Sequence, residues 1–383
     1  MTSTARRLIP LRLLAIAALV PVLAPAQAAA GGLAVDLVFS DTGGRDQLCL
    51  RDGSEYVCTD LAPEAAGSRA VAAGDVDGDG TLDVVLAIGP DKPNLLCRGD
   101  GAGSFACGAI GTLPSTTASV ALGDLNGDGR LDAVFGNVTN QPNHVCLNDG
   151  QGGFACGLLA PETDESYGVA IGDVDGDGTG DVVVANGGEP NQVCLGDGAG
   201  AFTCAPVETA ADDSLGVALG DVNGDGKLDA VFANLERLPH TGAPQQNRAC
   251  LGDGRGGFTC HAMSPHTERS VAVALGDLDG DGDLDAVFAN TNQQPNRLCT
   301  NDGSGRFTCD QIDGRELASS GVALVDLDGN GALDVVFASA CDVEHRQEPN
   351  RACLNVGAGD FHCTNVTGDL TESSGVAAGT FLP

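Results

Sequence analysis

One nine-residue acidic motif occurs six times in this 383-residue chain. It reads D-x-[DN]-G-[DN]-G-x-x-D and begins at Asp75, Asp124, Asp173, Asp221, Asp277 and Asp326, at intervals of 48 to 56 residues. Self-similarity at such a period is the mark of a repeat architecture, so the length does not imply two or three domains. Within each unit the apolar runs are short, lack helical spacing and are punctuated by Gly, Asn, Asp and Pro, which predicts strands. In the fourth unit the predicted strands are A (Gly216 to Gly220), B (Ala230 to Ala233), C (around Ala249 to Leu251) and D (Phe258 to Cys260). Four antiparallel strands in about 50 residues match one blade of a β-propeller.

The two ends of the chain set the blade count. Residues 34–58 match strands B, C and D with no strand A before them, and Ser374 to Thr380 match a strand A with nothing after it. Joined, they complete a seventh blade and close the ring, which removes the open sheet edge that a stack of hairpins would leave. The fold expected is all-β: a seven-bladed propeller over residues 29–383, with a composite blade (33–60 plus 374–383) and six full blades from about 69, 118, 167, 215, 271 and 320.

Each acidic motif has the chemistry of a hard-cation loop. Oxygen side chains at positions 1, 3, 5 and 9, with a backbone carbonyl at 7, suit Ca²⁺ better than the stricter Mg²⁺ octahedron. The candidate ligand sets are Asp75, Asp77, Asp79, Thr81 and Asp83; Asp124, Asn126, Asp128, Arg130 and Asp132; Asp173, Asp175, Asp177, Thr179 and Asp181. In the later repeats they are Asp221, Asn223, Asp225, Lys227 and Asp229; Asp277, Asp279, Asp281, Asp283 and Asp285; Asp326, Asp328, Asn330, Ala332 and Asp334. An EF-hand needs a bidentate Glu at position 12, where this chain has Leu86, Phe135, Val184, Phe232, Phe288 and Phe337. The ninth-position Asp must therefore close each site, in a loop joining two strands. Three to five carboxylates in nine residues repel one another unless a cation neutralises them, so about six Ca²⁺ are expected. In the composite blade Thr380 stands at position 1 opposite Asp36 at position 9, and no calcium is expected there.

Residues 216–231 and Leu251 to Phe258 resemble the two halves of the FG-GAP or VCBS repeat, the calcium-loop blade of integrin α-subunit propellers and many exported bacterial proteins. The resemblance covers nearly all of the chain after residue 28. It implies a seven-bladed propeller used mostly for partner binding or scaffolding, in a family with sugar-binding and polysaccharide-cleaving members, so it leaves the function open.

Fourteen of the 15 cysteines fall in pairs that bracket a Gly-rich turn between strands C and D. The pairs are Cys49 with Cys58, Cys97 with Cys107, Cys146 with Cys156, Cys194 with Cys204, Cys250 with Cys260, Cys299 with Cys309, and Cys353 with Cys363. Partners facing across a hairpin can form disulfides, which points to an oxidising compartment. The resembled repeat does not require such a pair. Cys341 is left over, either a cross-linking or reactive thiol or a bystander.

Residues 1–28 read as a secretory signal: Arg6, Arg7 and Arg12, then the apolar stretch Leu13 to Leu23, then a small-x-small site at Ala26 to Ala28. The apolar run is about half of what spans a bilayer. The expected location is secreted, periplasmic or at the cell surface. A net charge of −34 argues against nucleic-acid partners, because phosphates are held by excess Lys and Arg.

Only the loop between strands B and C varies much in length, from Asp229 to Cys250 and from Asp334 to Cys353. These two long loops would rise from the face opposite the acidic motifs. They place Arg237, His240, Cys341, His345 and Arg346 as a candidate ligand face, with tolerated insertion as the equal alternative. An Asn three residues before each strand C Cys, replaced by Asp46 in the composite blade, reads as turn-stabilising. No H-E-x-x-H, nucleophile elbow or clustered His marks an active site, so a non-enzyme is expected. Nearly every aromatic ring repeats at a packing position, and only Tyr167 is off-pattern. The expected function is protein interaction or adhesion with an unknown protein or glycan partner, the alternative being a lectin or polysaccharide lyase.

Overall fold

The computed structural model describes residues 35–380 except 53–54, 64, 66, 112–114, 236–244, 316–317, 341–347, 358 and 367–371. Twenty-eight strands, β1 to β28 in chain order, form seven four-stranded antiparallel sheets. The first continuous blade is β4 (Ser68–Gly74), β5 (Asp83–Ile88), β6 (Leu95–Gly99) and β7 (Phe105–Ala109), and five more repeat it. The seventh sheet runs in the order β28-β1-β2-β3, from β28 (Ser373–Gly379), β1 (Asp36–Asp41), β2 (Gln47–Asp52) and β3 (Glu55–Asp60). The amino-terminal strands thus share a blade with the carboxyl-terminal one, paired from Asp36↔Gly379 to Asp41↔Ser373. The strands run one to two residues longer than the apolar runs alone suggest, because flanking Ser, Asp and Asn also pair.

The first strands of successive blades touch around the ring: β4, β8 (Thr117–Gly123), β12 (Ser166–Gly172), β16 (Ser214–Gly220), β20 (Ser270–Gly276), β24 (Ser319–Val325) and β28, which returns to β4. Second strands are buried on both faces, whereas fourth strands alternate half-buried and exposed residues at the rim. Apolar cores lie between blades: Val85, Ala87 and Leu96 of the first continuous blade pack with Val120, Ala133 and Phe135 of the next.

Close approach explains the glycine that ends most inner strands. A Cβ on Gly74, Gly172, Gly220 or Gly276 would meet the Cδ1 of Leu131, Leu228, Leu284 or Leu333, the eighth residue of the next blade's acidic loop, at 2.5–2.7 Å. The third loop carries Gly180 there, and Ile171 fills the equivalent space against Gly123. The departure at Gly180 is therefore compensated within its own blade.

All seven cysteine pairs are disulfides across the third and fourth strands of a blade. In the seam blade the bond is Cys49–Cys58. In the continuous blades the bonds are Cys97–Cys107, Cys146–Cys156, Cys194–Cys204, Cys250–Cys260, Cys299–Cys309 and Cys353–Cys363. The two partners are directly opposed in the strand register in every case. The inner member of each pair is buried, whereas Cys58, Cys107, Cys156, Cys204, Cys260, Cys309 and Cys363 are only half-buried because they sit on the rim strand. Each bond thus fastens the rim of its blade to the strand beneath. No described helix is long and apolar enough to cross a membrane.

Candidate metal centres

Each acidic loop joins the first and second strands of a blade, and its two glycines are required by backbone geometry. Gly78 and Gly80 have φ of 78° and 88°, which side-chain-bearing residues rarely adopt. That path turns their N–H groups inward. Asp75 accepts them, Oδ1 from Gly78 at 2.8 Å and Oδ2 from Gly80 at 3.0 Å.

The ninth carboxylate closes the loop. Asp83 Oδ2 accepts the Val76 N–H at 2.9 Å, and Oδ1 accepts the Gly99 N–H at 3.0 Å. Asp132, Asp181, Asp229, Asp285 and Asp334 repeat this arrangement, and all six are fully buried. Burial pushes their pKa values up against those hydrogen bonds, that of Asp285 to about 6, with Asp279 and Asp281 adding repulsion. Six acids held this way in a low-dielectric setting invite a cation.

In four loops, positions 1, 3 and 9 each bring one carboxylate oxygen within 4.8 Å of the others. They are Asp75 with Asp77 and Asp83, Asp173 with Asp175 and Asp181, Asp277 with Asp279 and Asp285, and Asp326 with Asp328 and Asp334. Ligand oxygens 2.3–2.6 Å from one Ca²⁺ stand no further apart than about 5 Å, so one ion could touch all three. In the first loop Asp77 Oδ1 is buried with no hydrogen-bond partner among the described residues, the kind of orphan that a cation satisfies. The other two loops carry Asn126 and Asn223 at position 3, where an amide oxygen replaces a carboxylate.

Position 5 behaves differently. Asp79, Asp128, Asp177, Asp225, Asp281 and Asn330 are not drawn into these groups; each accepts the N–H of position 7, as Asp79 Oδ1 does from Thr81 at 2.8 Å. Arg130 and Lys227 at position 7 add ion pairs to Asp128 and Asp225, exposed and of little energetic weight.

Three features escaped the sequence reading. The recurring Asn does hold its turn, since Asn191 Oδ1 accepts the Asn186 N–H, but its amide also donates to the Ser214 hydroxyl of the next blade's inner strand. Asn143, Asn247, Asn296 and Asn350 make the same latch to Ser166, Ser270, Ser319 and Ser373. In the second, fifth and sixth continuous blades, Asn148, Asn301 and Asn355 donate to Val76, Val222 and Leu278 carbonyls in the preceding acidic loop. Arg248, Arg297 and Arg351 each pair with an acid in the connection entering their blade: Glu208, Glu268 and Asp313. The spacing of Asn and Arg from the strand C Cys was a readable signal, but its direction of contact was not.

The candidate ligand face at Arg237, His240, Cys341, His345 and Arg346 lies outside the described residues, as does the expected signal segment. Tyr167 is described, and it is buried at 3% exposure rather than offered to solvent.

The arrangement defines a closed ring of repeated acidic-loop blades, and the family comparison names that class. A model of the FG-GAP-like repeat matches residues 75–135, 173–232 and 277–337, each span running from one acidic loop into the next blade. The chain is an FG-GAP-repeat β-propeller. No curated protein matches it significantly. Among solved structures it is similar to an Agrocybe aegerita lectin specific for non-reducing terminal N-acetylglucosamine, at 19% identity and TM-score 0.60, covering 90% of this chain and 94% of that one. A Lactobacillus plantarum protein is similar at 15% identity and TM-score 0.62, covering 90% and 99%. The periplasmic gluconolactonase of Pseudomonas aeruginosa is similar at 15% and 0.58, covering 90% and 98%. Likeness at these identities concerns the fold alone.

Proposed function

We propose that this protein is an exported, calcium-loaded propeller that works as a non-catalytic binding module for a protein partner. The observation that carries the reading is the fourfold recurrence of three carboxylates gathered within reach of one ion, in loops whose buried ninth Asp would tie the ion to the blade. Calcium would neutralise each acidic loop; the first, third and ninth residues would hold it, with the position 7 carbonyl as a further donor. Seven disulfides support an oxidising compartment. A protein partner is favoured over a glycan because no described aromatic ring is exposed as a stacking platform. The neighbouring lectin and gluconolactonase share only the architecture, which hosts unrelated activities.

Isothermal calorimetry on the purified protein should count at least four calcium ions per chain, and chelation should lower the melting temperature. Capture of surface proteins should occur in calcium and fail in chelator. Fewer than four ions, or glycan-array binding in place of protein capture, would overturn the respective half of the proposal.

A further inference from the structure

Three successive blades carry an Arg two residues before the strand C Cys, and each is held differently. Arg248 divides its charge between Glu208 at 2.7 Å and Asp212 at 4.0 Å. The Arg351 side chain is closed in at 3% exposure beside Asp313. Arg297 has one acid, Glu268, and the two side chains keep 18% and 11% exposure. They border open space. A cleft of about 400 Å³ lies between residues 265–268 of the connection entering the fifth continuous blade, residues 294–295 of its next turn, Arg297 and Gln311. Arg297 begins β22 (Arg297–Asn301) and Gln311 ends β23 (Phe307–Gln311), so the cleft is at the end of the blade opposite its acidic loop.

The polar groups around this cleft are unevenly engaged. Glu268 Oε1 accepts from Arg297 Nε, and Oε2 accepts from the Asn290 amide at 3.0 Å. Gln294 Oε1 accepts the Arg269 N–H at 2.6 Å. Most of what remains is donors: Arg297 Nη1 and Nη2 and the Gln294 NH₂ have no partner among the described residues. The Thr267 hydroxyl and the Gln311 amide can both give and take. A sugar hydroxyl has to place its own proton, and the carboxylate and amide oxygens it would use already accept from protein groups. A carboxylate only accepts, and its two oxygens match the planar edge of a guanidinium.

Size and charge narrow the occupant. The volume falls in the range of small-ligand sites, so it admits a short extended piece of chain and not a folded surface. The chain as a whole carries −34, but salt screens that repulsion beyond about 10 Å, and Arg297 acts in direct contact. We propose that this cleft binds a carboxylate carried by an extended segment of a partner protein, either its free chain end or an Asp or Glu side chain, with Arg297 as the anchor. The proposal rests on the binding-module reading for its partner class, and its test uses purified protein and small probes, so the two can fail separately.

The test is saturation-transfer NMR on the purified protein in calcium-containing buffer, with four probes: N-acetylalanylalanine, its C-terminal amide, N-acetylaspartate α-amide and galacturonate. At least one of the two carboxylate peptides should give a saturable signal and the uncharged amide none, and the stronger peptide identifies the source of the carboxylate. Arg297→Lys keeps the ion pair but loses the fork, and should weaken binding about tenfold or more. Glu268→Gln keeps an oxygen for Asn290 while uncovering the Arg297 charge, and should tighten binding about threefold or more. A purely structural pair would leave binding unmoved in both. Should Arg297→Lys fail to fold, Gln294→Glu keeps the acceptor for Arg269 and replaces the free donor with a negative oxygen, which should abolish binding. Four results would overturn the proposal: no saturable signal from either peptide, an equal signal from the amide, unchanged binding in the variants, or a preference for galacturonate over both peptides. Calcium-dependent capture of a surface protein alongside any of these would leave the binding-module reading standing.

Discussion

The six continuous blades and the seam blade have the same four strands but hold them together differently. A continuous blade builds its first turn as an acidic loop, with a carboxylate at position 1 that gathers the loop N–H groups and one at position 9 that closes it. The seam assembles the same inner pair from two chain ends more than 330 residues apart in sequence, where Ser40 and Ser374 hydroxyls bond at 2.9 Å. Asp36 still behaves as a ninth residue, since its Oδ1 accepts the Arg51 N–H at 3.0 Å. The comparison separates what the ninth Asp does for the blade from what it would do for a metal.

The latch between blades differs as well. At Ser166, Ser214 and Ser270 the turn Asn of the preceding blade donates to the Ser hydroxyl, and that hydroxyl donates in turn to an Asn that ends the second strand, as Ser214 does to Asn234. The first continuous blade ends that strand with Ile88, opposite Ser68, so the Ser68 hydroxyl has no acceptor there. Asp46 supplies one: Ser68 donates to its Oδ2 at 2.5 Å. The price is a fully buried carboxylate, and its pKa rises to about 7, chiefly by desolvation, with the nearby Asp41 adding repulsion.

The seam can be broken outright. Removing residues 372–383 takes away β28, leaves the fully buried β1 without its inner neighbour and opens the ring. Calorimetry should show the melting temperature fall by about 10 °C or more, or a loss of the cooperative transition. A near-normal melt would mean that the ring does not depend on closure.

Calcium sharpens the contrast next. Asp181→Ala should cost about 4 kcal/mol or more in saturating calcium, and much less in chelator, because ligand linkage contributes about 4 kcal/mol at a thousand times the dissociation constant. Asp36→Ala should cost the same with and without chelator. Chemical denaturation under both conditions gives the four values, and an equal chelator dependence for the two variants would erase the distinction.

Disulfide removal asks whether the rim senses the seam. Loops of 9 and 10 residues should each contribute roughly 2.7 kcal/mol, so the double variant Cys49→Ala with Cys58→Ala and the double variant Cys250→Ala with Cys260→Ala should lose similar stability. A distinctly larger loss at the seam would show that its blade is weaker at equilibrium.

The smallest effect concerns Asp46. Its folded pKa of about 7 lies above the ordinary 3.8, so its contribution is fully present below about pH 4 and is lost as pH rises through 7. Asp46→Asn should therefore melt a few degrees higher than the parent at pH 8, with the difference vanishing near pH 4. Thermal melts across that range test it; a gap that grows toward acid would reverse the assignment.

Much of this was legible because the chain repeats itself. The motif at Asp75 to Asp83, seen six times, sets the blade period, and the complementary ends supply the seventh blade. The partners of Arg248 and Asn148 were not legible. Arg248 pairs with Glu208 in the connection entering its blade, and Asn148 reaches Val76 in the previous blade. Such contacts depend on how blades pack, and no local spacing encodes that.

By itself, the sequence determined the all-β class, the seven-blade ring, the seven disulfide pairs and the composition of the acidic loops. It could do so because strand alternation, turn glycines and cysteine spacing act over a few residues and are copied in each repeat. Only the tertiary structure decided which loop oxygens converge, that Tyr167 is buried, and that Asn148, Asn301 and Asn355 reach into the preceding acidic loop. Those outcomes come from side chains of different blades meeting in one volume, where burial and the choice of partner are properties of the ring and not of any one repeat.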